Sequence, residues 1–148
     1  MSYHTDFTGH FTFNQMLDTK TAMFINQLSR TRRVTHAPDK LIEQGFLNDY
    51  GVEGEWFVQR NTNAVLNFNT PPSTQPSLYL EWRVSDDKKR LYWNGAEKFY
   101  HYIEWLEYLI DNILKPKNYS LNGTVYFQGE NEDDSGVIEI KNNYILVS

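Results

Sequence analysis

Gly95-Ala-Glu-Lys-Phe-Tyr-His-Tyr-Ile-Glu-Trp-Leu-Glu-Tyr-Leu-Ile-Asp-Asn-Ile-Leu114 is apolar at Phe99, Ile103, Leu106, Ile110 and Ile113. These steps of three or four residues align one face of an α-helix. Glu97, Glu104, Glu107 and Asp111 fall largely on other faces, while Tyr102, Trp105 and Leu109 widen the apolar stripe. A helix so aromatic needs a broad surface to pack on, most economically a β-sheet.

Such a sheet is legible on both sides of the helix. Asp6 to Phe13 alternates, with Phe7, Gly9, Phe11 and Phe13 on one side, the pattern of a half-buried strand. Asp18 is placed to cap a helix over 19–30, with Ala22, Phe24, Ile25 and Leu28 on its apolar side. Residues 38–44 suggest one or two helical turns, and 55–58 and 64–68 short strands with a turn at 61–63. The segment 70–77 holds three prolines, which remove ladder donors and fix φ, so it reads as a stiff surface loop. Leu78, Leu80, Trp82 and Val84 then alternate with Tyr79, Glu81 and Arg83, and a polar turn at 85–89 leads into Arg90 to Trp93 as a hairpin. Pro116 stops the long helix, 121–128 forms another strand, and 137–147 returns with a break at Asn142-Asn143. The expected fold class is α+β, one domain over 1–148. A single, mostly antiparallel twisted sheet of about six to eight strands is packed by one long helix in the C-terminal half and one shorter N-terminal helix.

Composition narrows the chemistry. The 148 residues include no cysteine, which removes disulfides, thiolate nucleophiles and cysteine-ligated metal. Apolar residues make up 40% and aromatics 16%, so the core rests on Phe, Tyr and Trp. No basic N-terminal region precedes an apolar run, and no stretch approaches the roughly 18 apolar residues of a membrane span, so a cytoplasmic protein without a membrane partner is expected. Residues 1–96 carry ten basic and ten acidic side chains; residues 97–148 carry four and nine, so the net charge of −5 sits entirely in the latter segment. That surface repels duplex DNA and anionic lipid and suits a basic protein.

Four stretches resemble a group of small uncharacterised proteins carried by bacteriophages and prophages. They are Arg30-Thr-Arg-Arg33, Pro71-Pro-Ser-Thr-Gln-Pro76 with Trp82, the helix string from Gly95 to Ile110, and Leu121-Asn-Gly-Thr-Val-Tyr-Phe-Gln-Gly-Glu130 with Asp133, Asp134, Gly136 and Ile138. The resemblance implies a phage-type accessory protein of the host cytoplasm that acts by binding a host or phage macromolecule, and it transfers no activity to any residue.

Candidate sites follow from residue type. Glu97, Glu104, Glu107 and Asp111 on the helix, with Glu130, Glu132, Asp133 and Asp134 in the 129–136 turn, form a candidate acidic partner-binding surface. The turn lacks the ligand spacing of a calcium loop, and an acidic tip also keeps sheet ends soluble. Arg30, Arg32 and Arg33 at the end of the first helix, with Arg83, Tyr79 and Tyr92, form an alternative anion or nucleotide site. Guanidinium forks suit phosphates, and exposed tyrosines stack bases. His101, with Glu97 and Glu104 at i−4 and i+3, is expected to share a helix face with them. The four histidines form no ligand motif, and no serine sits in a nucleophile elbow. The sequence therefore leans away from an enzyme, expects no metal or cofactor, and allows a homodimer through an uncovered sheet edge.

Overall fold

Antiparallel pairing of two alternating segments builds the centre of the sheet. In the computed structural model, which describes residues 3–30, 33, 35–36, 65–67, 70–73 and 75–148, strand β1 (Thr5–Phe13) pairs along its whole length with β6 (Leu121–Gly129). Around them lie β4 (Trp82–Val84), β5 (Arg90–Trp93), β7 (Ser135–Lys141) and β8 (Tyr144–Val147). The spatial order is β4-β5-β1-β6-β7-β8, every neighbour antiparallel. A separate pair joins β2 (Thr35–His36) to β3 (Val65–Asn67). The protein is thus α+β, with one open six-stranded sheet and, among the described residues, two α-helices, α1 (Thr19–Arg30) and α2 (Tyr102–Leu109). The expected turns at 38–44, the strand at 55–58 and the turn at 61–63 lie outside the described residues.

Local chemistry explains the element ends. Asp18 accepts the Thr21 amide at 3.0 Å and the Thr21 hydroxyl at 2.7 Å, capping α1. Burial works to raise the Asp18 pKa, but hydrogen bonds from Thr21 and Tyr119 outweigh it and leave the carboxyl below its ordinary value. The β7–β8 hairpin turns on Asn142 (φ 48°) and Asn143 (φ 70°), the positive pair that a two-residue turn matched to strand twist requires.

One face of the sheet carries the core. Phe7, Phe11 and Phe13 of β1, Trp82 and Val84 of β4, Leu91 of β5, Leu121 and Val125 of β6, and Ile138 and Ile140 of β7 join Ala22, Phe24, Ile25 and Leu28 of α1 and Trp105, Leu106 and Leu109 of α2 in one cluster. The opposite face presents Asp6, Thr8, His10, Thr12, Tyr126, Glu139, Tyr144 and Leu146 to solvent.

The C-terminal helix departs from expectation at both ends. It starts at Tyr102, not Gly95, because His101 is left-handed (φ 58°, ψ 38°) and cannot continue a right-handed helix. The Glu97 carbonyl, which in a longer helix would accept the residue-101 amide, faces the His4 ring instead at 2.6 Å. Phe99 is still buried, reaching the core from a non-helical segment. Beyond α2 the chain widens into a π-helical stretch, Ile110–Leu114, then tightens into a 3-10 turn, Lys115–Lys117. The wider turn lets Ile110, Ile113 and Leu114 all bury while Asp111 and Asn112 stay outside. The proline segment is also less superficial than its composition implies. Pro72 and Gln75 are buried, and the Gln75 amide donates to Tyr108 Oη at 3.2 Å.

Candidate binding surfaces

Tyr3 and His4 tie together two acidic segments that are far apart in sequence. The Tyr3 amide donates to Tyr100 Oη at 2.9 Å, and its phenol donates to Asp134 Oδ2 at 2.5 Å. The His4 amide donates to Glu130 Oε1 at 2.7 Å. The His4 ring faces the Glu97 carbonyl through Nδ1 at 2.6 Å and Asp6 Oδ1 through Nε2 at 2.7 Å. Entry into β1 therefore holds the 97–100 segment against the β6–β7 turn, and Glu97, Glu104, Glu130 and Asp134 gather at one end of the sheet. Half-buried Tyr102 registers this grouping: burial raises its phenol pKa first, and Asp134 and Glu104 then add to the rise.

The eight acidic candidates thus divide by role. Glu130 and Asp134 spend their oxygens on the tie, whereas the Glu97, Glu104, Glu132 and Asp133 side chains are exposed. Glu104 also lies 3.3 Å from His101 Nδ1. Glu97 precedes the helix, so the shared helix face expected for Glu97, His101 and Glu104 is reduced to the His101–Glu104 pair. Glu107 and Asp111 lie further along, beside Tyr144 and Ile145 in a shallow groove, and Asp111 pairs with Lys115 at 3.6 Å.

His4 is the titratable part of the tie. Both ring nitrogens face acceptors, a carbonyl and a carboxylate, so both hydrogen bonds form only on the doubly protonated ring. The Asp6 hydrogen bond, followed by the Glu97 carbonyl, raises the His4 pKa above its ordinary value. A folded pKa raised in this way contributes stability that is complete below the unfolded value of about 6.5 and is lost as pH rises through the folded value. We expect the amide resonances of residues 97–101 to shift in step with His4 as it titrates, at a midpoint above about 6.5. The same titration should vanish in His4→Gln. Shifts that persist unchanged in that variant would remove His4 from the explanation.

Of the alternative anion-site residues, Arg33, Tyr79, Arg83 and Tyr92 have described side chains. Arg33 is fully buried; its amide donates to the Leu78 carbonyl at 2.7 Å and its Nε to Gln75 Oε1 at 3.2 Å. Burial lowers the guanidinium pKa to about 10, so it remains charged at neutral pH but inside the protein, away from any solvent-borne phosphate. Arg30 closes α1, and Arg32 lies outside the described residues. Arg83 and Tyr92 are brought together, directly opposed across β4–β5 and half-buried. Tyr79 instead lines a cleft of about 480 Å³ with Pro71, Pro76, Leu78, Lys98 and Tyr100.

Sequence reading missed Tyr3 and His4, whose roles depend on partners about a hundred residues away. The only local signal was a histidine two residues before an aspartate at a strand start. Among the described residues no three His, Asp or Glu side chains are grouped to hold a metal ion, and no helix is long and apolar enough to cross a membrane. No protein-family model, curated protein or solved structure matches the chain.

Proposed function

We propose that this is a phage-type accessory protein that works in the host cytoplasm by non-catalytic binding to a host or phage macromolecule, with a basic protein as its partner. One observation carries the reading: the hydrogen bonds of Tyr3 and His4 merge two sequence-distant acidic segments into one end of the molecule. The resemblance to phage-encoded proteins supports the context. Glu97, Glu104, Glu132 and Asp133 point outward there, where carboxylates accelerate encounter with a basic surface and select against acidic ones. Steric occlusion or mimicry of an acidic ligand follows from such a surface without any catalytic group.

The test is capture of partners from host lysate with and without nuclease, repeated with Glu97→Lys, Glu104→Lys, Glu132→Lys and Asp133→Lys combined. This set leaves Glu130 and Asp134 in place, so the tie and the fold are retained. A stoichiometric protein that survives nuclease and is lost by the variant supports the surface. Undiminished capture by the variant rejects it.

A second reading, binding of nucleotides or single-stranded nucleic acid, is favoured by the Arg83–Tyr92 opposition on the sheet surface. It requires affinity for an oligonucleotide that falls steeply with salt and weakens in Arg83→Ala.

A further inference from the structure

The two edges of the sheet are treated differently. At the β4 edge, Asn26 of α1 accepts the Val84 amide at 2.8 Å and donates to the Val84 carbonyl at 3.2 Å, so one side-chain amide occupies both edge groups. At the other edge, β8 pairs with β7 alone among the described residues. Val137 and Ser148 exchange both backbone hydrogen bonds, at 2.9 and 3.0 Å. Antiparallel ladders alternate, so Tyr144 and Leu146 also turn their amides toward β7, and Ile145 and Val147 aim theirs outward. Tyr144, Leu146 and Val147 are 77%, 61% and 49% exposed. No charged residue and no proline lies between Lys141 and Ser148, so neither charge nor proline on the strand itself blunts this edge.

We propose that β8 is a self-association edge, pairing antiparallel with β8 of a second copy about a two-fold axis at Leu146. In this register Ile145 of one copy lies opposite Val147 of the other, and the reverse, so all four outward-facing residues exchange hydrogen bonds. Leu146 meets Leu146 across the axis on the outer face, burying apolar surface now in water. Shifting the register by one hydrogen-bonded step toward the hairpin would set Val147 against Asn143, whose positive φ cannot extend a strand. A second copy suits the edge because a two-fold contact is self-complementary, and the uncharged strand lets two chains of net charge −5 meet without like charges on the seam. The nearest charges are Glu139 and Lys141 of β7, opposite Leu146 and Tyr144, and then Glu107 and the Asp111–Lys115 pair beside Tyr144 and Ile145. Two such acidic groups approach one another in the dimer, so association strengthens as salt rises. A four-residue strand gives a small interface, and the dimer is correspondingly concentration-dependent.

Sedimentation velocity over a wide concentration range tests this on the full chain. A monomer–dimer equilibrium is expected that persists or tightens with added salt. Leu146→Asp, which sets like charges directly opposite one another, weakens dimerisation at least about tenfold. Val147→Pro deletes an outward amide that the β7 ladder does not use, and it abolishes the dimer while the circular dichroism of the monomer stays unchanged. A wild-type chain that is monomeric at every concentration overturns the proposal. So does a dimer that both variants leave intact, or a monomer whose β8 edge is occupied only by an added strand peptide.

Discussion

Trp82→Ala is expected to cost about 3–5 kcal/mol in urea-induced unfolding, the range for deleting a large aromatic side chain from a packed core. Trp82 is completely buried and stands at the meeting point of three elements. Its ring packs edge-to-face on Phe7 at 5.3 Å, Phe11 at 5.6 Å and Phe99 at 5.3 Å. Its indole Nε1 donates to the Tyr102 carbonyl at 3.0 Å, at the first residue of α2. The substitution therefore opens a cavity between β1 and the 97–100 segment and also removes the indole hydrogen bond to the Tyr102 carbonyl. Domains of this size are stable by about 5–15 kcal/mol, so the loss is a large share of the total. Trp82→Phe keeps a ring in the cluster and loses the hydrogen bond, for an expected cost of about 1–3 kcal/mol. A cost below about 1 kcal/mol for Trp82→Ala would mean that the aromatic cluster does not organise the core.

The elements that sequence reading recovered are those whose cause lies within a few residues. Alternation places Phe7, Phe11 and Phe13 inward, the Asp18 carboxylate meets the Thr21 amide three residues on, and Asn142-Asn143 supplies the two positive φ values of the β7–β8 turn. What escaped depends on distant partners. The helix was read as starting near Gly95 because Phe99 falls on its apolar stripe, yet the His4 ring at the Glu97 carbonyl holds that segment in another conformation. Periodicity cannot register a hydrogen bond 93 residues away. For the same reason the acidic residues looked alike. Only the fold separates Glu130 and Asp134, which hold Tyr3 and His4, from Glu132 and Asp133, which face water. Arg33 falls in the candidate anion site because three arginines cluster near a helix end, and the Gln75 side chain that receives it inside the protein lies 42 residues on.

Gly123→Ala should destabilise the protein by more than its single added methyl group suggests, by about 3 kcal/mol or more. Gly123 sits in β6 at φ +132°, a conformation that side-chain-bearing residues rarely adopt. Its position opposite Phe11 is also closed by backbone: an added Cβ would lie 2.9 Å from the His10 carbonyl oxygen and 3.1 Å from Phe11 Cα. Neither atom can swing away as a side chain would, because both belong to β1, the strand that carries Phe7 and Phe11 into the core. Gly9 is the reciprocal case, at φ +105° with the Thr124 carbonyl oxygen 2.8 Å from an added Cβ. At Gly9 and Gly123 the facing backbone of the partner strand thus fills the space a side chain would need, and the Phe11 ring lies over the space at Gly123. Relief of either clash requires β1 to move from β6, which loosens the sheet from its middle. The cost should therefore appear together with faster amide exchange along 7–13 and 121–127, whereas β8 amides change little beyond the global loss. If Gly123→Ala unfolds at the wild-type denaturant concentration, the close β1–β6 approach is not what sets the register of the sheet.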